Sequence, residues 1–440
     1  MDGQGDRPAF DIAIVGAGVV GVHVAVGLLD RGIPFTIYEQ STELTEMGAG
    51  ITITSTTVKS LAALHPEAPQ LLSKVSKLMR SINCVNGSGD NLNLRPSDGL
   101  YDLVIQPYEF HAAHRAKLVE GLLQLIPKGH IKLGKRIESI VDRGDDEKLL
   151  LQFADGTTAE ADAVIGCDGI KSRVRQIVGG SDNPSSSPHY SNMSAYRGLI
   201  TMEKATAALG QLVKDPVWYL GQGASMVTYP ILGPGGIPVL NVVAYVHDEQ
   251  DSLSLDSLVS EGNKEDVEAA FSQFGSSVKE VIKALPDKLN RWALFDSYVH
   301  PLPSYAYGRT VLAGDAAHPS TPHIGSGAGM GIEEALILAE LLKSATERLS
   351  ASESSAARHK LLEAVFKAYS DIRRPRTQWI VTQSRTIGVM SQGRHEDMGT
   401  EFDRYAAYLK EKIGKLEAYD WKDTLRQATD QFERNLENSD

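Results

Sequence analysis

The 440 residues include only two cysteines, Cys84 and Cys167, and neither belongs to a CxxC pair or to a spaced cysteine framework. A disulfide scaffold is thereby excluded, and a reducing compartment is the default expectation. Long apolar runs are missing as well. The longest, Val19 to Leu29, contains His23 and is about half the roughly 20 residues that a membrane helix needs. The opening MDGQGDRPAF lacks the basic start and apolar middle of a secretory leader. Together these absences predict a soluble cytoplasmic protein without a membrane partner. Positive charge is scarce too: 44 Lys and Arg stand against 56 Asp and Glu, a formal charge of −12. With no basic block to neutralise phosphates, nucleic acid is not expected as a partner. No internal repeat and no metal-ligand set is read from the sequence.

What is present points to an ordinary globular enzyme. At 42% hydrophobic and 23% charged residues, the chain can bury a substantial core, and its length suits two or three domains. Asp11 to Val15 reads as a buried parallel strand, the residues from Gly18 to about Asp30 as a helix ended near Gly32, and Pro34 to Tyr38 as a second strand. This βαβ unit carries Gly16-Ala-Gly18-Val-Val-Gly21 between strand and helix. Glycines at that spacing allow the tight turn, the approach of a pyrophosphate to the backbone, and close helix–strand packing. Glu39 follows Gly21 by 18 residues, at the end of the second strand, where a carboxylate accepts from two ribose hydroxyls. An acidic group there favours an unphosphorylated ribose, as in FAD or NAD. Ala49 and Gly50, in Met47-Gly-Ala49-Gly50, and Arg115 are further candidates for cofactor contact.

Two later segments repeat the pattern of a strand ending in glycine and aspartate. In Gly166-Cys-Asp168-Gly169-Ile-Lys-Ser172 the residues alone are equally compatible with a turn leading into a helix capped by Ser172. In Ala313-Gly314-Asp315 the strand end precedes Gly325-Ser-Gly327-Ala328-Gly329, which leads into a long helix whose bare N–H groups would suit electron-rich atoms. His318 beside it reads more readily as a structural hydrogen-bonder than as a catalyst. Between them, residues from about 193 to 247 are rich in strands, a polar helical stretch spans about 254 to 284, and the charged tail from Glu401 is expected to pack outside or to be disordered.

The three glycine-containing motifs in this order resemble those of the class A flavoprotein monooxygenases, the group of p-hydroxybenzoate and salicylate hydroxylases. The match runs over roughly residues 10 to 390. It departs from the common pattern at Val20, where many members have glycine, and at Cys167, where alanine is common. The resemblance implies an α/β fold with a Rossmann-like FAD-binding domain, an inserted β-sheet substrate domain and C-terminal helices. It implies bound FAD contacted by Glu39, Arg115, Asp168 and Asp315, with Gly325, Gly327 and Ala328 under the flavin. NADPH or NADH, with NADPH preferred, is implied as a transient co-substrate, because no second GxGxxG follows a strand.

Ser194-Ala-Tyr-Arg197-Gly and Met226-Val-Thr-Tyr229-Pro230 further resemble substrate-sheet strands of fungal dearomatising phenol hydroxylases from tropolone, sorbicillinoid and azaphilone pathways. That likeness implies a phenolic, polyketide-derived substrate placed by Arg197 and Tyr229, attacked by a flavin C4a-hydroperoxide formed from O2. An epoxidase of the same fold acting on a prenyl alkene is the alternative, and a non-catalytic flavoprotein a distant third. The FAD domain is expected to be discontinuous, over 1–85, 101–185 and 290–390. The substrate sheet is assigned to 86–100 and 186–289, and a helical tail to 391–440. Oligomeric state is left open.

Overall fold

A computed structural model describes residues 10–44, 50–88, 103–105, 108–144, 147–233, 236–250, 252–350, 353–396 and 402–438. It has the expected α/β class. Five apolar segments pair in parallel into one sheet, with Ile12–Val15 at its centre between Phe35–Tyr38 and Ala163–Gly166, and Ile131–Lys132 and Thr310–Leu312 outside these. A short antiparallel strand, Ala306–Tyr307, closes one edge. The central strand is buried at all four positions, which explains why it reads as a continuous apolar run. The helix Val19–Asp30 and the longer helix Gly327–Glu347 pack on this sheet, and most of both is buried.

The second large sheet has eight strands. His189–Thr201, Pro238–His247, Ala224–Leu232 and Val217–Leu220 form an antiparallel series. Ile82–Asn86 joins it in parallel beside Val217–Leu220 and pairs with Leu103–Ile105. At the other edge lie Lys288–Asp296 and Val259–Asn263. The last strand falls in the stretch read as helical. It is a polar edge strand, whose Glu261 pairs with Lys288 across the ladder, so it lacks the apolar alternation that marks a covered strand. Residues 89–100, assigned from sequence to the substrate sheet, lie outside the described residues.

The C-terminal residues also differ from expectation. Helix Phe402–Glu417 turns Tyr405, Leu409, Ile413 and Leu416 into a core shared with Trp218, Phe110 and Ile387. Helix Trp421–Glu437 packs on the long helix Ser355–Ser391. Among the described residues no helix is long and apolar enough to cross a membrane.

Candidate active site

Two cavities meet beneath the large sheet. The first, about 580 Å³, runs along the ends of the parallel strands and is lined by Gly16, Gly18, Glu39, Arg115, Asp168, Asp315, Gly325, Gly327 and Ala328 among others. The second, about 170 Å³, lies under the antiparallel sheet and contains Tyr229, Tyr245, Trp218 and His323 in its walls. Gly50, Thr52, Arg197, Pro322 and Gly325 border both, so the two spaces join at these residues. Ala49 lies outside the described residues. Gly21 is set back from the cleft: a Cβ there would come within 2.0 Å of the Gly16 carbonyl oxygen, so its role is to let helix approach strand.

Local geometry explains the glycine loop. Gly16 has φ +102°, and a Cβ on it would sit 2.6 Å from the Cys167 carbonyl oxygen. Both conditions demand glycine. The Glu39 carboxylate accepts from the Ala17 amide at 2.7 Å and the Ser41 amide at 2.8 Å, which brings it to the mouth of the loop. Val20, the departure noted in the sequence, fills the space left by two glycines. A Cβ on Gly314 or Gly331 would lie 2.6 or 2.3 Å from its side chain.

Asp168 accepts from the Ser172 hydroxyl at 2.5 Å and from the Arg173 and Val174 amides at 2.7 and 3.0 Å, while Ser172 caps the same helix through the Arg175 amide. The capped-turn reading of this segment is therefore present in the structure, with Asp168 also facing the cleft. Burial pushes the Asp168 carboxyl upward against those hydrogen bonds. Asp315 is pushed upward for the same reason, against the pull of His318, Arg115 and Arg175.

Several positioning residues were not singled out from sequence. Arg175 donates to the carbonyls of Asp315 and Ala316, each at 3.1 Å, and to those of Ile170 and Ser186, so it clamps the second motif to the third. Burial lowers its guanidinium to about 10. Buried Glu334 accepts from the Gly314 amide at 2.8 Å, and its other oxygen lies 2.6 Å from His318 Nε2. His318 is thus a structural hydrogen-bonder, as its surroundings in sequence suggested. Only a charged residue inside an apolar helix, Glu334 among Ile332 to Leu342, could have flagged this contact in advance.

Arg197 lies mid-strand, opposite Val243 and Asn290, with its guanidinium 5.7 Å from the Trp292 ring. Among the described residues it has no carboxylate partner. Burial pushes the Tyr229 and Tyr245 phenols up, the latter to about 12, while Arg197 pulls both back. Both therefore remain O–H donors near neutrality.

The first cavity suits a flavin dinucleotide. Helices Val19–Asp30 and Gly327–Glu347 both start at its wall, neither has a side-chain cap, and neither has an acidic residue in its first turn, so backbone N–H groups and positive dipole ends are open to an anionic or electron-rich ligand. A parallel sheet with a glycine cradle at its strand ends, joined to an apolar chamber under a second sheet, defines a flavin-dependent hydroxylase architecture. Residues 9–384 match the FAD binding domain family, and the chain belongs to it.

The chain is 40% identical over 436 residues to the FAD-dependent monooxygenase pigN of Monascus ruber, covering 98% of this chain and 99% of that one. It is 33% identical over 454 residues to the salicylate hydroxylase asL1 of Sarocladium schorii, covering 98% and 93%. A solved salicylate hydroxylase substrate complex superposes with a TM-score of 0.79 at 25% identity, covering 96% of this chain and 98% of the other. The protein is an FAD-dependent monooxygenase.

Proposed function

We propose that this monooxygenase hydroxylates a phenol held as its phenolate, a polyketide-derived aromatic of secondary metabolism, and that it does so with loss of aromaticity. The overall change consumes one phenol, one O2, one NAD(P)H and one proton, and releases the hydroxylated product, water and NAD(P)+. The observation that carries the reading is the position of Arg197, a cation without a carboxylate partner among the described residues, at the junction of the two cavities. Likeness to two salicylate hydroxylases supports it, since salicylate is a phenol.

FAD would occupy the first cavity, with Glu39 on the ribose, Arg115 near the phosphates, Asp168 and Asp315 accepting hydroxyl or amide hydrogens, and Gly50, Gly325, Gly327 and Ala328 letting the backbone approach. Bound FAD supplies hydride acceptance, oxygen activation and oxygen transfer. The protein's own task is to make the ring electron-rich. A phenol ordinarily titrates near ~10. A guanidinium about 4 Å from its oxygen, at an effective dielectric of ~20, contributes on the order of 4 kcal/mol, which lowers that value by up to about three pH units. Burial opposes the shift, as it does at Tyr229 and Tyr245. Donation from the Tyr229 hydroxyl to the same oxygen offsets part of that opposition.

NADPH is the proposed reductant. Lys135, Arg136, Lys171 and Arg173 gather along the first cavity of an otherwise acidic protein and suit a phosphorylated dinucleotide. An alkene epoxidase would have no use for the cation at the junction. Arg197→Ala is expected to retain FAD and lose at least 100-fold in hydroxylation of a dihydroxybenzaldehyde, measured by product formation. Near-normal turnover would sink the assignment.

A further inference from the structure

One short stretch walls both cavities. Ser320 and Thr321 line the first, His323 and Ile324 the second, and Pro322 and Gly325 border both. Pro322–Ile324 forms one three-residue helical turn, followed by Gly325 at φ +67°. Two side chains from distant elements hold it. Ser384, inside helix Ser355–Ser391 and fully buried, accepts from the Ile324 amide at 3.3 Å and from the Thr321 hydroxyl at 3.1 Å, and donates to the Thr321 carbonyl. At the other end Thr52, on the strand Gly50–Thr54, donates its hydroxyl to the Gly325 carbonyl at 2.7 Å.

A hydroxyl has one hydrogen to give and two lone pairs to receive. Ser384 uses all three on this loop, so it has no hydrogen left for the carbonyl four residues back, the usual partner of a serine inside a helix. The Ile324 amide is the donor that the residue leading the turn, Thr321, would ordinarily cap, and Thr321 makes no such bond. Ser384 therefore caps the turn from another helix, 60 positions along the chain. Helix stability does not ask for a serine there, since alanine is the better helix former. The loop explains the hydroxyl. Thr52 is explained in the same way: a Cβ on Gly325 would lie 2.9 Å from its hydroxyl oxygen, so the glycine leaves room for the threonine to reach the carbonyl.

We propose that Ser384 and Thr52 are positioning residues for oxygen transfer: they fix the loop from Thr321 to Gly325, and with it the placement of a substrate in the second cavity against the cofactor in the first. A displacement of about 1 Å at a reacting group can cost on the order of 100-fold in rate. The inference rests on the monooxygenase activity and not on the class of substrate. A coupled cycle places one atom of O2 on the substrate and releases the other as water. With substrate and cofactor misplaced, the cycle consumes one NAD(P)H, one O2 and one proton and releases NAD(P)+ and hydrogen peroxide, with no bond formed to the substrate. Neither hydroxyl takes part in bond making; each acts through the loop.

The test compares Ser384→Ala, Thr52→Val and Thr52→Ser with the parent protein. In the FAD-free proteins, amide hydrogen exchange over residues 320–326 reads the loop itself. Ser384→Ala and Thr52→Val are expected to speed it about tenfold, equivalent to about 1.4 kcal/mol, while Thr52→Ser, which keeps the hydroxyl, stays near the parent rate. In the FAD-loaded enzymes with 2,4-dihydroxybenzaldehyde and NADPH, the first two variants should lose at least fivefold in product formed per NADPH consumed, with hydrogen peroxide making up the difference, and Thr52→Ser should remain coupled. Should Ser384→Ala fail to fold, the two Thr52 variants carry the same comparison. Exchange at the parent rate overturns the clamp. Faster exchange with an unchanged ratio of product to NADPH overturns the positioning role. Parent enzyme that oxidises NADPH yet leaves the aldehyde intact overturns the phenol reading instead, and the exchange over residues 320–326 then decides the clamp by itself.

Discussion

Single side chains at the junction carry the chemistry. Tyr229 lies so close to Gly50 that a Cβ there would be 2.6 Å from its hydroxyl oxygen, which places the phenol at the border of the two cavities. If it donates to a bound phenolate, it favours the anion. Stabilisation of the anion is then fully present above the free phenol's value of ~10 and is lost as pH falls through the lower bound-state midpoint. Tyr229→Phe removes a donor, so the midpoint should rise by about one pH unit, the equivalent of about 1.4 kcal/mol, as read from substrate affinity against pH. A midpoint that stays in place counts against the role. On the cofactor side, Asp315→Ala is expected to yield colourless, FAD-poor protein, checked by the visible spectrum, and a fully yellow variant would contradict the assignment. Gly16, Gly18 and Asp315 were legible in sequence because their requirements are local: a turn, a close approach, a strand end. Arg175 was not, because its Nη1 reaches Asp315 across 140 positions, and Glu334 was not, because its partners Gly314 and His318, 20 and 16 positions earlier, lie in a separate loop whose return to the helix no local pattern announces.

Among elements, the two helices at the C-terminal end do most that the sequence did not announce. Leu409 and Ile413, on helix Phe402–Glu417, form part of the wall of the second cavity at 1% and 3% exposure. Their spacing with Tyr405 and Leu416 marks an apolar helix face, yet nothing local says what that face covers. Leu409→Ala is expected to cost about 2–5 kcal/mol in stability, measured by denaturant unfolding, and to lower the KM for ring substrates with bulkier substituents relative to small ones. The helices Gly327–Glu347 and Ser355–Ser391 are joined by buried Glu333, which accepts from Arg373 at 2.6 Å and from Arg376 at 2.9 Å. Burial would raise the Glu333 carboxyl, but Arg376 and Arg373 hold it below its ordinary value. A depressed carboxyl stabilises the fold above its unfolded value near 4.5, and that contribution is lost as pH falls through the lower folded value. Glu333→Gln leaves the buried Arg373 and the partly buried Arg376 without their anion and should cost about 3–5 kcal/mol at neutral pH, with a flatter acid limb in thermal melts than the parent protein.

For the whole molecule, charge is divided by place. The chain carries −12 overall, while Arg115, Lys135, Arg136, Lys171, Arg173 and Arg197 outnumber Glu39, Asp168 and Asp315 along the first cavity. A cationic cleft with low-dielectric walls in an acidic body attracts dinucleotides and turns other polyanions away. Association of FAD with the apoprotein should therefore slow severalfold between about 0.01 and 0.15 M salt, as the Debye length shrinks from about 30 to 8 Å, followed by flavin fluorescence; a salt-independent rate would contradict this. The sequence by itself determined the βαβ nucleus, the glycine cradle and the family, since each rests on short-range pattern: strand period, turn conformation, helix start. It could not determine that Trp218, His323 and Leu409 line one chamber or that Arg197 borders two cavities. Those are consequences of long-range packing, in which a side chain's environment is set by segments hundreds of positions away, and only the tertiary structure decided them.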